Sequence, residues 1–237
     1  MRRLPATPEA FAARLDATNL RLDASEADLC RLCDEAGQSG YGAVCVYPTS
    51  VPLCAALLDG ATTAVCTVIG FPHGRSPIET KRREILEAAE AGADEVDIVM
   101  NYAALRSGER SLLAEELIRL CETAREGRAT SKVIVETCFL DDRQKLEALR
   151  LCEDAAADFV KTSTGFGAGG ATEADVRRIA ENRAADIRVK ASGGIRTLGD
   201  ATALLEAGAD RLGVSAAGQL LAAFRERHGA PAAARGG

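Results

Sequence analysis

Tryptophan is absent from this 237-residue chain, aromatic residues make up only 4% of it, and lysine is scarce. Of its 29 basic residues only five are Lys, at positions 81, 132, 145, 161 and 190. No stretch approaches the roughly 18–20 consecutive apolar residues of a membrane-spanning helix. Arg2 and Arg3 are followed by no apolar stretch, so the start does not read as a secretory signal. Positive charge is not in excess. The formal net charge of −6 excludes a generally basic nucleic-acid binder, although a local basic pocket remains compatible with it. The eight cysteines are scattered through apolar segments, as buried thiols of a reducing compartment are, which points to the cytoplasm. Cys30 and Cys33 form the one C-x-x-C, with no second pair and no nearby His, so zinc is not expected there.

Hydrophobic residues at 47% and charged residues at 27% are ordinary for a globular chain, and the length suits one domain. Short β-rich runs alternate with longer helical ones. The runs are Arg14–Thr18, Gly42–Tyr47, Thr63–Gly70, Asp94–Asn101, Lys132–Thr137, Asp158–Ser163, Ile187–Ala191 and Arg211–Val214. Between and after them lie helical patterns over Ser25–Ala36, Pro77–Ala91, Ser111–Glu126, Asp141–Ala155, Thr172–Glu181, Leu198–Ala207 and Ser215–Arg227. Ser25-x-x-Asp28 and Thr172-x-x-Asp175 carry N-cap chemistry. Ala91-Gly92-Ala93-Asp94, Ala155-Ala156-Ala157-Asp158 and Ala207-Gly208-Ala209-Asp210 each end a helix and start a strand. Eight such units of about 30 residues predict a single-domain α/β chain, a (β/α)8 TIM barrel over residues 1–228. The alternative, a doubly wound open sheet, would carry a Gly-rich turn after the first strand, where Asp16-Ala17-Thr18-Asn19 stands. Residues 229–237 (GAPAAARGG) lack apolar periodicity and read as a disordered tail.

Sites in such barrels lie at the C-terminal strand ends. The polar residues there are Asp16, Thr18, Cys45, Thr67, Asp97, Asn101, Glu136, Lys161 through Thr164, Lys190 and Ser215. Lys161 and Lys190 fall on neighbouring strands. A closed barrel has no edges, so an inward lysine needs a partner or a task. An ordinary lysine is only about 0.04% neutral at pH 7. A second ammonium beside it and partial burial both disfavour its charged form. That favours a nucleophilic amine and Schiff-base chemistry, with Asp97 as carboxylate partner for proton transfer.

Ser192-Gly193-Gly194 follows the seventh strand, and Gly213-Val214-Ser215-Ala216 follows the eighth and opens a helix. Glycines let a phosphate approach backbone N–H groups, and the helix start adds positive potential. Gly165 through Gly170 form a Gly-rich loop after Lys161 that is expected to close over substrate. His73 is expected to be solvated or to stabilise a turn. Glu136 is read either as a partner of a site lysine or a residue that helps order the proton relay, or as half of a structural ion pair.

Several segments resemble the 2-deoxyribose-5-phosphate aldolase family. They are Glu95-Val-Asp-Ile-Val-Met-Asn101, Val160-Lys-Thr-Ser-Thr-Gly-Phe166 and Val189-Lys-Ala-Ser-Gly-Gly-Ile-Arg196. Asp16-Ala17-Thr18, Ala43 through Pro48, Ile69 through Gly74, Thr80-Lys81 with Glu84, and Val133 through Thr137 extend it over residues 14 to 225. The resemblance implies a class I aldolase, with no metal and no cofactor, that cleaves 2-deoxy-D-ribose 5-phosphate. It assigns Lys161 to the Schiff base, Lys190 to keeping that amine neutral, and Asp97 to acid/base work. Gly193, Gly194, Ser215 and Ala216 would hold phosphate; Asp16, Thr18, Cys45, Thr164 and Gly165 would contact substrate. Partners would be a phosphorylated sugar and aldehydes, with no nucleic acid or membrane, and a homodimer is compatible. Ala216 stands where the family often has a second Ser, Ala17 replaces a larger residue, and Tyr102 stands where an aliphatic one is usual. No Tyr occurs in the tail, where some members use one for proton transfer. A Schiff-base barrel aldolase for another phosphorylated sugar is the alternative.

Overall fold

A computed structural model describes residues 4–229. Eight parallel strands close into a barrel in sequence order: β1 Leu15–Asn19, β2 Ala43–Val46, β3 Ala64–Ile69, β4 Glu95–Val99, β5 Thr130–Ile134, β6 Phe159–Lys161, β7 Arg188–Ser192 and β8 Arg211–Val214. The register sets Asp97 beside Lys132, Lys161 beside Lys190, Cys45 beside Cys66, and Asp16 beside Gly213. The helices are α1 Pro8–Ala12, α2 Glu26–Ser39, α3 Val51–Leu57, α4 Ile78–Glu90, α5 Tyr102–Arg106, α6 Arg110–Glu126, α7 Asp142–Asp154, α8 Glu173–Asn182, α9 Leu198–Ala207 and α10 Ala217–Gly229. Among the described residues no helix is long and apolar enough to cross a membrane.

Local chemistry sets several boundaries. Ser25 and Asp141 complete reciprocal capping boxes with Asp28 and Gln144, and Thr172 accepts from the Asp175 N–H. Gly40 ends α2 in the left-handed conformation. Helices α1, α3 and α5 are not anticipated by the sequence pattern; at five, seven and five residues they are too short to show a helical period. Gly229 closes α10 rather than opening a tail; the rest of the expected tail, from residue 230, lies outside the described residues.

Strand β5 begins two residues before, and ends three residues before, the segment read from the apolar run. The backbone leaves the sheet and turns left-handed at Glu136, φ 53°. Lys132 is therefore an interior strand residue rather than a strand start.

Most of the core lies between strands and helices. A second, smaller apolar cluster fills the β2–β3 side inside the barrel, formed by Leu20, Ala43, Cys45, Cys66 and Val68. Opposite it the barrel interior is charged, and that asymmetry positions the site.

Candidate active site

A cavity of about 560 Å³ opens at the C-terminal strand ends, with Lys161 reaching into it from β6. Thr18, Thr164, Gly165, Gly193, Gly194 and Ser215 all line it. Gly165, Gly193 and Gly194 sit at φ between +80° and +86°, a region disfavoured for residues with a Cβ. The Gly-rich loop is packed against its neighbours: a Cβ on Gly170 would fall 2.2 Å from the Gly193 carbonyl oxygen. Its Phe166 stands half-exposed at the cavity wall and meets Phe71 edge-on, ring centroids 5.1 Å apart.

Below the cavity Asp97 is fully buried and receives three ammonium groups. Lys132 donates to Oδ1 at 3.0 Å; Lys161 and Lys190 donate to Oδ2 at 2.6 and 2.8 Å. Burial alone would raise the Asp97 carboxyl, but the three lysines outweigh it and hold it well below the usual carboxylate range. Burial would likewise strip the proton from Lys190. Asp16, 2.5 Å away, and Asp97 outweigh it and keep that ammonium charged above the usual lysine range. The same holds for Lys132 through Asp97 and Glu95, whose Oε2 lies at 2.6 Å. Arg211 on β8 donates to Asp16 Oδ1 at 2.6 Å and lies 3.5 Å from Glu95 Oε2. Asp16 Oδ2 and Glu95 Oε2 meet their cations as ion pairs without the alignment of hydrogen bonds.

The three expected chemical residues Lys161, Lys190 and Asp97 are thus brought together. Asp16 and Cys45 lie off the cavity wall: Asp16 holds Lys190, and the Cys45 thiol faces Asp97 Oδ2 at 3.9 Å. Ala216 is also off the wall. Glu136 pairs with no lysine. It accepts from the Thr164 N–H and hydroxyl, the latter at 2.5 Å, which corrects the readings of that residue as a lysine partner and as half of an ion pair. Thr67 donates to the Val46 carbonyl, Asn101 caps α5, Tyr102 stacks on Phe139, and His73 is exposed. Gly213 does more than open a phosphate turn. A Cβ there would come within 3.2 Å of Lys190 Cε, so its bareness leaves Lys190 its space. Lys132, Glu95 and Arg211 escaped the sequence reading. The available signal was the pairing of Asp97 with Lys132 across β4 and β5.

Among the described residues, Cys45, Cys66 and Asp97 have ligand-type atoms within 4.8 Å of one another. A metal ion there would have to share Asp97 with three ammonium groups, and burial holds Cys66 as a thiol, so the donor set does not suit a cation.

A closed parallel barrel with a lysine at the floor of its C-terminal cavity, hydrogen-bonded to a buried carboxylate, defines a (β/α)8 enzyme of amine and carboxylate chemistry. Residues 12–224 match the model of the DeoC/LacD family aldolases, and the chain belongs to that family. It is 44% identical over 207 residues to the deoxyribose-phosphate aldolase of Thermoanaerobacter sp. strain X514, covering 87% of this chain and 93% of that one. It is 46% identical over 207 residues to the deoxyribose-phosphate aldolase of Thermococcus gammatolerans, covering 86% and 92%. The deoxyribose phosphate aldolase from Aeropyrum pernix, described as a unique tetrameric structure, superposes with a TM-score of 0.86 at 34% identity over 93% of both chains.

Proposed function

We propose that this aldolase reversibly cleaves 2-deoxy-D-ribose 5-phosphate to D-glyceraldehyde 3-phosphate and acetaldehyde, with residues 4–229 acting as a single catalytic domain. The observation that carries the reading is Lys161 Nζ, inside the cavity and 2.6 Å from Asp97 Oδ2. The family relatives named above are deoxyribose-phosphate aldolases, which supports the substrate.

Lys161 attacks C1 of the open-chain sugar, and water leaves as the iminium forms. Asp97, through Lys190 or a water, takes the proton of the C3 hydroxyl. The C2–C3 bond then breaks, its electron pair moving into the iminium to give an enamine and releasing glyceraldehyde 3-phosphate. Protonation at C2 and hydrolysis return acetaldehyde and the free amine. Lys190, held charged between Asp16 and Asp97, is placed to pass protons without competing as a nucleophile. Thr18, Thr164 and Gly165 contact the sugar; Gly193, Gly194, Ser215 and the start of α10 hold the phosphate. Asp16 and Cys45 act from beneath, and Ala216 offers only its backbone.

Borohydride reduction in the presence of substrate is expected to add mass at Lys161, and acetaldehyde release is expected to vanish in Lys161→Ala and in Lys161→Arg. A guanidinium is not neutral near pH 7 and cannot replace the amine. An unmodified Lys161 in the working enzyme would falsify the assignment. We place the enzyme in the cytoplasm, supported by its eight unpaired thiols, and as a homo-oligomer, supported by the tetramer described for the Aeropyrum relative. A homodimer is the smallest such assembly, and light scattering of the purified chain distinguishes it from a monomer or a tetramer.

A further inference from the structure

Followed from residue to residue, the charges beneath the cavity form a closed circuit. Arg211 meets Asp16, Asp16 meets Lys190, and Lys190 meets Asp97. Asp97 then meets Lys132, Lys132 meets Glu95, and Glu95 returns to Arg211. Cation and anion alternate all the way round: three cations (Lys132, Lys190, Arg211) and three anions (Asp16, Glu95, Asp97) sum to zero. Every member of the circuit touches two partners of opposite sign. Lys161 is attached from outside it, through Asp97 Oδ2 alone. As an amine Lys161 leaves the buried cluster neutral; as an ammonium it adds a fourth cation that shares Asp97 with Lys132 and Lys190.

We infer that Glu95, Lys132 and Arg211, which do not line the cavity, are positioning residues of the aldolase reaction: the zero net charge of their ring fixes the pH at which Lys161 works as a nucleophile. The inference rests on the Schiff-base reading of Lys161. It revises the simpler expectation that Lys190 alone displaces the proton, because the charge of Lys190 is already balanced by Asp16. The ring is built into the backbone as well. Gly42 leaves room for the Arg211 guanidinium, since a Cβ there would lie 2.7 Å from Cζ; Gly213 leaves room for Lys190.

The groups around Lys161 and Asp97, in contact with them or with one of their partners, come from nearly every strand. Asp16 stands on β1, the Cys45 thiol on β2, the Cys66 thiol on β3, Glu95 on β4, Lys132 on β5, Lys190 on β7 and Arg211 on β8. Both thiols face Asp97; burial and that carboxylate hold Cys66 protonated, while the hydrogen bond with Cys66 and the nearby Lys190 and Lys161 draw the Cys45 thiol down, so Cys45 is the group outside the ring that can add an anion to the count.

The test is the pH dependence of borohydride-trappable adduct formation at Lys161 with 2-deoxyribose 5-phosphate. Lys132→Gln removes a cation, makes an ammonium at Lys161 more favourable, and is expected to move the acid limb up by about one pH unit. Glu95→Gln removes an anion and is expected to move the limb down, by roughly half a unit. The double variant restores the zero sum and is expected to return the limb close to that of the unaltered enzyme. Lys132→Arg keeps the charge and is expected to leave the limb in place. Arg211→Gln, on the far side of the ring, is expected to shift it in the same direction as Lys132→Gln and serves if that variant fails to fold. Slower adduct formation with an unmoved limb in folded variants, or shifts of the same sign in Lys132→Gln and Glu95→Gln, would overturn the ring's role. Failure of the unaltered enzyme to form any adduct would sink the Schiff-base reading and the ring's role together.

Discussion

At the scale of single residues, three of the five lysines, Lys132, Lys161 and Lys190, converge on one buried carboxylate, Asp97. The sequence marks Lys161 and Lys190 because both fall at neighbouring strand ends with small polar residues after them, and the structure pairs them directly. Lys132 carries no such mark. The Val-Ile-Val run after it reads as the body of a strand, which made Lys132 look like that strand's first residue instead of an inward position level with Asp97. The role of Glu136 was equally hidden, because its left-handed backbone and its grip on Thr164 belong to a contact between segments 28 residues apart. Gly213 shows what a missing side chain does. In Gly213→Ala the new methyl would lie 2.9 Å from Ser192 Cβ and 3.2 Å from Lys190 Cε. The expected outcome is a folded protein destabilised by about 1–3 kcal/mol, with kcat reduced roughly tenfold or more as Lys190 moves off Asp97. Urea unfolding and steady-state kinetics on the same variant check it; unchanged kcat would show that Lys190 tolerates displacement.

At the scale of elements, the strands and the longer helices were legible because their apolar periods run for several turns or alternations. The joints between them were not, because they depend on groups brought in from elsewhere. Lys81 on α4 is such a joint. It is fully buried and donates to the Gly74 carbonyl at 2.6 Å, the Val99 carbonyl at 2.8 Å and Glu116 of α6 at 2.8 Å. One ammonium thereby ties two helices to the loop after β3 and the end of β4, two residues from Asp97. Lys81→Met leaves the Glu116 carboxylate buried without its cation and is expected to cost about 3–5 kcal/mol. Replacing both partners by Met is expected to recover a good part of that loss, because the uncompensated charge is then gone. Denaturant midpoints of the two variants decide it; equal losses in both would mean that packing, not charge, is what Lys81 supplies.

At the scale of the whole molecule, burying so many charges makes stability depend on pH in a defined direction. Asp16 and Asp97 have folded-state values below the unfolded carboxylate value of about 3.9. They stabilise the fold fully above that value, and the contribution is lost as pH falls through their lower folded values. Lys132 and Lys190 are raised, so their contribution is complete below about pH 10.4 and fades as pH rises through their folded values. As far as these four groups set it, a melting temperature nearly level through neutral pH and falling steeply only below about pH 4 is expected from calorimetry. A fall already under way near pH 6 would contradict the pairing. The two ends of the chain meet in the same architecture. Phe11 of α1 stacks on Phe224 of α10 with ring centroids 4.4 Å apart, and β1 pairs with β8 where Asp16 meets Arg211. During synthesis, then, three carboxylates and three lysines of the interior are made before the guanidinium that completes their arrangement. Arg211 is thus the last charge to join, and the closing of β8 against β1 is the step that completes the alternating ring.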